Sequence, residues 1–271
     1  MNKISIFLIL ILLISIIALA FYTISLNEKI EKLEKKTEKL KLEYEESLEE
    51  YRGFLESLYS KDGKKIGSKE LLMFLKLDNT EKIKYRKDFD CTGFALELYK
   101  KARDVGIKVG IVEVNFENEK GHMLNVFDVY DKGIVFIDVT GNEDGNGYDK
   151  IAFLKENEKY KTIIIPEKEE FIICNFDCEN LAIIEPERKK YNIFSEEFLN
   201  NIERCTKIYK ECVDIYNKAV EEYNRGNKKY SYDEMKKWYR NLEDLEKEIS
   251  VDKYLIFYEG NETIKNIEIY W

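Results

Sequence analysis

Residues 90–140, DCTGFALELYKKARDVGIKVGIVEVNFENEKGHMLNVFDVYDKGIVFIDVT, hold one helical pattern followed by three strand patterns. Cys91, Phe94, Ala95, Leu98 and Ala102 recur at spacings of three and four. This predicts a helix over Cys91–Arg103, with Gly106 as its stop. Strand patterns follow at Ile107–Phe116, His122–Val129 and Ile134–Val139. A helix first and consecutive strands after it predict an α+β domain with an antiparallel sheet. Further strands are expected at Thr162–Ile165 and, more weakly patterned, at Phe171–Cys174 and Leu181–Ile184.

Beyond this region the chain becomes helical. Phe194–Arg225 carries a helical pattern that Gly226-Asn227 breaks. Ser231-Tyr232-Asp233-Glu234 has the spacing of a capping box opening a second helix to about Ile249. The expectation is a helical hairpin, ending in two short strands around Glu259-Gly260-Asn261.

Toward the amino terminus, Ile4–Ile24 is an almost unbroken apolar run. About 20 residues suffice to cross a bilayer, so it reads as a transmembrane helix. Ala18-Leu19-Ala20 also fits a signal-peptide cleavage site, but the apolar stretch continues through Phe21 and Tyr22, which favours a retained anchor. Lys29, Lys32, Lys35 and Lys36 would hold the following region in the cytoplasm, whereas a long domain translocates regardless of such charges. The orientation read here is an outward-facing domain. Ile30, Leu33, Thr37, Leu40, Tyr44, Ser47, Tyr51, Phe54 and Leu58 keep a heptad register. Residues 30–58 thus form either a homodimeric coiled coil or a stalk helix, closed by Gly53 and Lys61-Asp62-Gly63. The expected organisation is a membrane anchor over 1–25, a stalk over 26–60, the α+β domain over 61–190 and the hairpin with its strands over 191–271.

The net charge of −9, with Lys interleaved among Glu, argues against nucleic acid as the main partner. Gln is absent and Pro occurs twice, while Lys, Glu and Ile are abundant, a bias resembling a thermophile surface. Five cysteines are present. Cys205 and Cys212 are seven residues apart in a helical stretch, about 10 Å of rise, too far for a mutual disulfide. Bridges from Cys174 or Cys178 to that helix are open, as is a set of buried reduced thiols.

His122 is the only histidine. Cys91, His122 and Asp138 follow one another in the order of a thiol nucleophile, a base and a group that orients the base. A helix N-terminus and a nearby imidazolium both lower a thiol's pKa, and Asp88 or Asp90 is placed to cap the helix that Cys91 begins. Free N–H groups at that end would hold a developing oxyanion. His122 and Asp138 flank a hairpin around Tyr130-Asp131-Lys132-Gly133, and both are even-numbered, so an odd loop sets them on one face. A loop at Asp131–Gly133 would place Asp138 opposite Val126, about 13 Å along the strand from His122. A bulge or wider loop within Asp128–Gly133 is therefore expected. One histidine and scattered cysteines give no catalytic zinc ligand set, and no cofactor or metal is expected.

Asp90-Cys91-Thr92-Gly93-Phe94-Ala95, Gly121-His122 and Ile137-Asp138-Val139-Thr140 resemble the three motifs of transglutaminase-like proteins. Their order and the spacing of sixteen residues between His122 and Asp138 fit as well. The resemblance spans about residues 68–140 and implies a papain-like fold with a Cys91–His122–Asp138 triad. It implies thioester acyl transfer on a protein or peptide substrate: hydrolysis if water accepts the acyl group, crosslinking if a lysine amine does. Microbial members of this compact kind resemble proteases, so hydrolysis leads. A membrane-tethered scaffold is the alternative from another class. The chain departs from the family at Leu124, where an aromatic is common two residues after the histidine, and a different substrate cleft is expected there. Asn261-Glu262-Thr263 fits a glycosylation acceptor, relevant only outside the cell.

Overall fold

The computed structural model describes residues 29–41 and 63–271, except 182–183, 228 and 252–253. The apolar run Ile4–Ile24 and the heptad positions Tyr44, Ser47, Tyr51, Phe54 and Leu58 lie outside the described residues. Among the described residues, no helix is long and apolar enough to cross a membrane. The chain divides into two units between Tyr59 and Ser60. In the first, residues 29–41 are helical, with Lys35 paired to Glu31 one turn earlier. Its Ile30, Leu33 and Leu40 face solvent.

The second unit begins with helix α1 (Ser68–Asp78) and helix α2 (Cys91–Asp104). Asp90 caps α2, its Oδ1 accepting from the amides of Thr92 at 3.0 Å and Gly93 at 3.4 Å. This satisfies two of the donors that every helix start leaves open. At the other end Gly106 takes φ +78°, a left-handed conformation that glycine adopts without steric cost, and Ile107 donates back to the Ala102 carbonyl at 2.8 Å. Phe94, Ala95, Leu98 and Ala102 form the buried face, as their spacing predicts.

Six antiparallel strands close into a barrel: β1 (Val109–Phe116), β2 (Gly121–Val129), β3 (Gly133–Asp138), β4 (Lys150–Phe153), β5 (Lys159–Ile164) and β10 (Phe257–Tyr270). Around the barrel they run β1-β10-β5-β4-β3-β2. Side chains alternate across a strand, so Val112, Val114, Leu124 and Val126 fill the interior with Ala152, Tyr160 and Ile264. Helix α2 packs on β1 and β2, where buried Asn125 donates from Nδ2 to the Ala95 carbonyl at 2.9 Å. The architecture is thus α+β with an antiparallel sheet, as expected, and the sheet is curled shut.

Closure comes from β10. Its first half pairs with β5 and its second half with β1, from Phe116↔Ile264 to Ile111↔Tyr270. The two short strands expected around Glu259-Gly260-Asn261 are therefore one strand of 14 residues. Gly260 sits where the pairing with β5 shifts register. A barrel has no exposed edges, which explains why a chain with such long strands carries no unpaired one there.

The remaining elements form a helical layer: β6 (Glu170–Ile172), α3 (Cys178–Leu181), β7 (Arg188–Lys190), α4 (Glu196–Asn224), α5 (Tyr232–Ile249) and the short pair β8 (Ser250–Val251) and β9 (Tyr254–Leu255). Of the strand expected at Leu181–Ile184, Leu181 ends a helical turn, Ile184 is in no strand, and residues 182–183 lie outside the described residues. The hairpin of α4 and α5 follows expectation, including the reciprocal Ser231–Glu234 capping box. Trp238, Leu242, Leu245 and Ile249 of α5 pack with Ile208 of α4 and Ile172 of β6. Two disulfides, Cys174–Cys205 and Cys178–Cys212, join the β6–α3 segment to α4. Their α4 ends are two turns apart on one helix face, so each finds its own partner.

Candidate active site

Cys91 is the first residue of α2, His122 is the second residue of β2 and Asp138 ends β3. The structure brings all three together. His122 Nε2 lies 3.2 Å from Asp138 Oδ2 and donates to it, which leaves Nδ1 for the thiol. The Cys91 sulfur lies near enough to the His122 side chain and the Met123 amide for both to favour its thiolate. Cys91 is partly exposed and is the one free cysteine among the described residues, His122 is largely buried and Asp138 is 4% exposed.

The hairpin that sets this geometry has no bulge. Residues 130–132 form its loop, and pairing runs unbroken from Val129↔Gly133 to Asn125↔Ile137. The expected bulge within Asp128–Gly133 is absent because it is not needed. Continuing the register (125 + 137 = 124 + 138) sets Leu124 beside Asp138, so His122 and Asp138 are diagonal neighbours on one face. Diagonal positions are about 7–8 Å apart at the backbone, a gap an imidazole spans. The parity expectation holds and the register expectation was two residues off. Leu124 is buried at 1% exposure and packs with Val112, Val114 and Val126.

Asp138 is held by more than its histidine. The Tyr160 hydroxyl donates to Oδ2 at 2.8 Å, the Thr140 amide donates to Oδ1 at 2.8 Å, and Lys150 Nζ stands 3.4 Å from Oδ2. Lys150 also donates to the Thr140 carbonyl at 2.8 Å, fixing the turn that follows the aspartate. The Tyr160 ring meets the His122 ring edge-on at 5.3 Å between centroids. Neither Tyr160 nor Lys150 stands out in the sequence, because each reaches the site from a strand distant along the chain. Further along that turn, Gly147 lies so close to the Glu81 carbonyl that a Cβ would sit 2.1 Å from it. Only glycine permits this approach.

Charge follows from these contacts. Burial opposes ionisation of Asp138, but the Lys150 ammonium and then the His122 ring hold its carboxyl well below the usual range. Burial would likewise lower His122; the charge and hydrogen bond of Asp138, with help from Cys91, lift it to about 9. Burial pushes the Cys91 thiol up, and the hydrogen bond and charge of His122 together with the Met123 amide bring it below the ordinary thiol range. The pair therefore favours thiolate and imidazolium more than an isolated thiol and imidazole would. We expect alkylation of Cys91 by iodoacetamide, followed from pH 9 to 6, to begin its decline at lower pH than that of an ordinary thiol, which slows about tenfold per unit below a pKa of about 8.5. Mass-spectrometric rates across that range check it, and a rate falling tenfold per unit from pH 9 would contradict the ion pair.

Of the first-turn amides, those of Thr92, Gly93 and Phe94 all donate to Asp90. That leaves the amide of Cys91 itself as the candidate oxyanion donor, fewer than the free set expected from sequence.

Behind the site lies a buried acidic group made by Asp78, Glu81 and Asp149. Lys101 pairs with Asp78 at 3.4 Å and Lys82 with Glu81 at 3.6 Å. Asp149 Oδ1 is buried without a hydrogen-bond partner. Burial, reinforced by Glu81 and Asp78, pushes Asp149 up to about 8. A folded pKa above the unfolded value contributes stability that is full below about pH 4 and lost as pH rises through 8. Asp149→Asn, which imitates the protonated form, is expected to raise Tm at pH 8 by a few degrees and to leave it unchanged at pH 4. Calorimetry at the two pH values checks this; equal shifts at both would contradict the titration. Among the described residues, no group of three or more His, Cys, Asp or Glu is placed to hold a metal.

No family model, no curated protein and no solved structure matches this chain.

Proposed function

We propose that this protein is a transglutaminase-like cysteine peptidase or amidase with a papain-like core, acting on peptide or isopeptide amides through Cys91, His122 and Asp138. The observation that carries this is the gathering of thiol, imidazole and buried carboxylate, with His122 bonded to Asp138 and the thiol on a helix N-terminus. A core of ordinary packing has no need for an imidazole raised to about 9 beside a partly exposed thiol.

The Cys91 thiolate adds to the amide carbonyl carbon, forming a C–S bond and moving the carbonyl electron pair onto oxygen. The Cys91 amide and the positive end of α2 stabilise that oxyanion. As the carbonyl re-forms, the C–N bond breaks and protonated His122 gives its Nδ1 proton to the departing amine. A water, losing a proton to His122, then attacks the thioester; the acid leaves and the thiolate returns. Throughout, Asp138 keeps Nε2–H directed at itself, so Nδ1 faces the sulfur. A lysine amine in place of water would give an isopeptide crosslink by the same steps.

The two disulfides favour an oxidising compartment, in line with an outward-facing domain held to a membrane by Ile4–Ile24. Incubating a denatured-protein or peptide mixture with the enzyme, with and without a fluorescent primary amine, tests the proposal. New amino termini that require Cys91 support hydrolysis; amine incorporation without cleavage would assign the crosslinking reaction instead. Neither product would contradict acyl transfer on amides.

A further inference from the structure

Resting on that catalytic assignment, we infer that Tyr160 and Lys150 are positioning residues for the acyl transfer, dividing the charge of Asp138 so that His122 is held in place yet able to release its proton. Three groups meet on one oxygen of this buried carboxylate. Asp138 Oδ2 takes the Tyr160 hydroxyl at 2.8 Å, His122 Nε2 at 3.2 Å and the Lys150 ammonium at 3.4 Å. Its other oxygen, Oδ1, accepts from the Thr140 amide at 2.8 Å. The shortest contact to Oδ2 is thus made by the phenol and not by the imidazole.

Each of these groups comes from a different strand, and the two new ones are fixed independently of Asp138. Tyr160, on β5, is 7% exposed and packs in the barrel interior, its ring edge-on to Phe116 at 6.0 Å and to His122 at 5.3 Å between centroids. Lys150 opens β4, and its bond to the Thr140 carbonyl at 2.8 Å keeps the ammonium beside the carboxylate. A buried carboxylate partnered by the imidazole alone would hold the imidazolium more strongly and make it a poorer acid. General acid catalysis works best when the donor titrates near the working pH. The phenol dipole and the ammonium both turn positive charge toward Oδ2, so they keep Asp138 ionised while opposing a second positive charge on His122. The titratable groups that bear on the ring are Cys91 of α2 with Asp90 beside it, Asp138 of β3, Lys150 of β4 and Tyr160 of β5, while Tyr258 of β10 bears on the phenol. Lys150 is the one cation among them.

His122 is the only histidine, so isotope-labelled histidine gives a single imidazole whose nitrogen shifts report its neutral fraction. In the natural protein about half of the ring should be neutral at pH 9. Lys150→Met is expected to raise the midpoint by about one pH unit, leaving about a tenth neutral at that pH, and Tyr160→Phe by about half a unit, leaving about a quarter. Lys150→Arg keeps the charge and should stay near the natural value. On the peptide that the natural protein hydrolyses best, Lys150→Met and Tyr160→Phe should each lower kcat by about threefold or more with KM changed by less than about twofold. A neutral fraction unchanged or larger in both variants, or a smaller one with kcat untouched, would overturn the positioning role while leaving the triad intact. A ring wholly neutral at pH 9 in the natural protein would overturn both.

Discussion

Replacing His122 with Ala is expected to lower amide turnover by at least a thousandfold, and Cys91→Ala to abolish it. His122 is the only imidazole in the chain, so no neighbouring base can substitute. It performs two tasks at once. In the proposed reaction its charge favours the thiolate, and its Nδ1 proton is what the departing amine would take. Losing the first returns the thiol to the ordinary range, and losing the second leaves an amide anion as leaving group. Asp138→Asn keeps the shape but removes the charge that lifts His122 to about 9. In a hydrolytic triad, an equivalent loss of carboxylate costs up to about 10⁴ in turnover. Activity against the best peptide found for the natural protein checks all three variants. A His122→Ala enzyme retaining a tenth of its activity would contradict the assigned role.

The second large effect is on stability. Removing either disulfide as a pair, Cys174→Ala with Cys205→Ala or Cys178→Ala with Cys212→Ala, is expected to cost about 3–4 kcal/mol. The bridges close segments of 31 and 34 residues, and the chain-entropy account gives that figure for loops of such length. For a unit of this size each kcal/mol moves Tm by about 2–4 °C, so a fall of roughly 6–16 °C should be seen. The reason is architectural. Among the described residues between β5 and α4, the regular elements are the three-residue strands β6 and β7 and a single helical turn. Little regular structure holds that segment on α4, and the sulfur links do so. Thiol titration of the folded protein should find one reactive group, Cys91, and five after denaturation and reduction. A Tm change under 2 °C for both double variants would show that the packing around Trp238 holds the layer without them.

The helix carrying Cys91 and the hairpin carrying His122 and Asp138 are legible in the chain because their signals are local. Apolar spacing, an aspartate cap and side-chain parity all lie within residues 90–140. Register within the hairpin is less legible, since shifting the loop by one position moves the partner of every residue by two. What encloses the site is less legible again. The four-residue strand β4 is too short to show a period, yet it delivers Lys150 to Asp138. Strand β10 contains Gly260, which reads as a turn, and only its two partners more than 90 residues earlier make it a continuous strand. Tyr160 is one of 19 tyrosines, and nothing beside it marks it as the hydroxyl that meets the Asp138 carboxylate.

The thiolate–imidazolium pair is the centre of the account, and the rate of Cys91 alkylation by iodoacetamide at pH 6.5 measures it most directly. The natural protein should react at least tenfold faster than its His122→Ala variant at that pH, with the two rates converging above pH 9. Equal rates at pH 6.5 would mean that the histidine does not ionise the sulfur, and the catalytic assignment would fail with it.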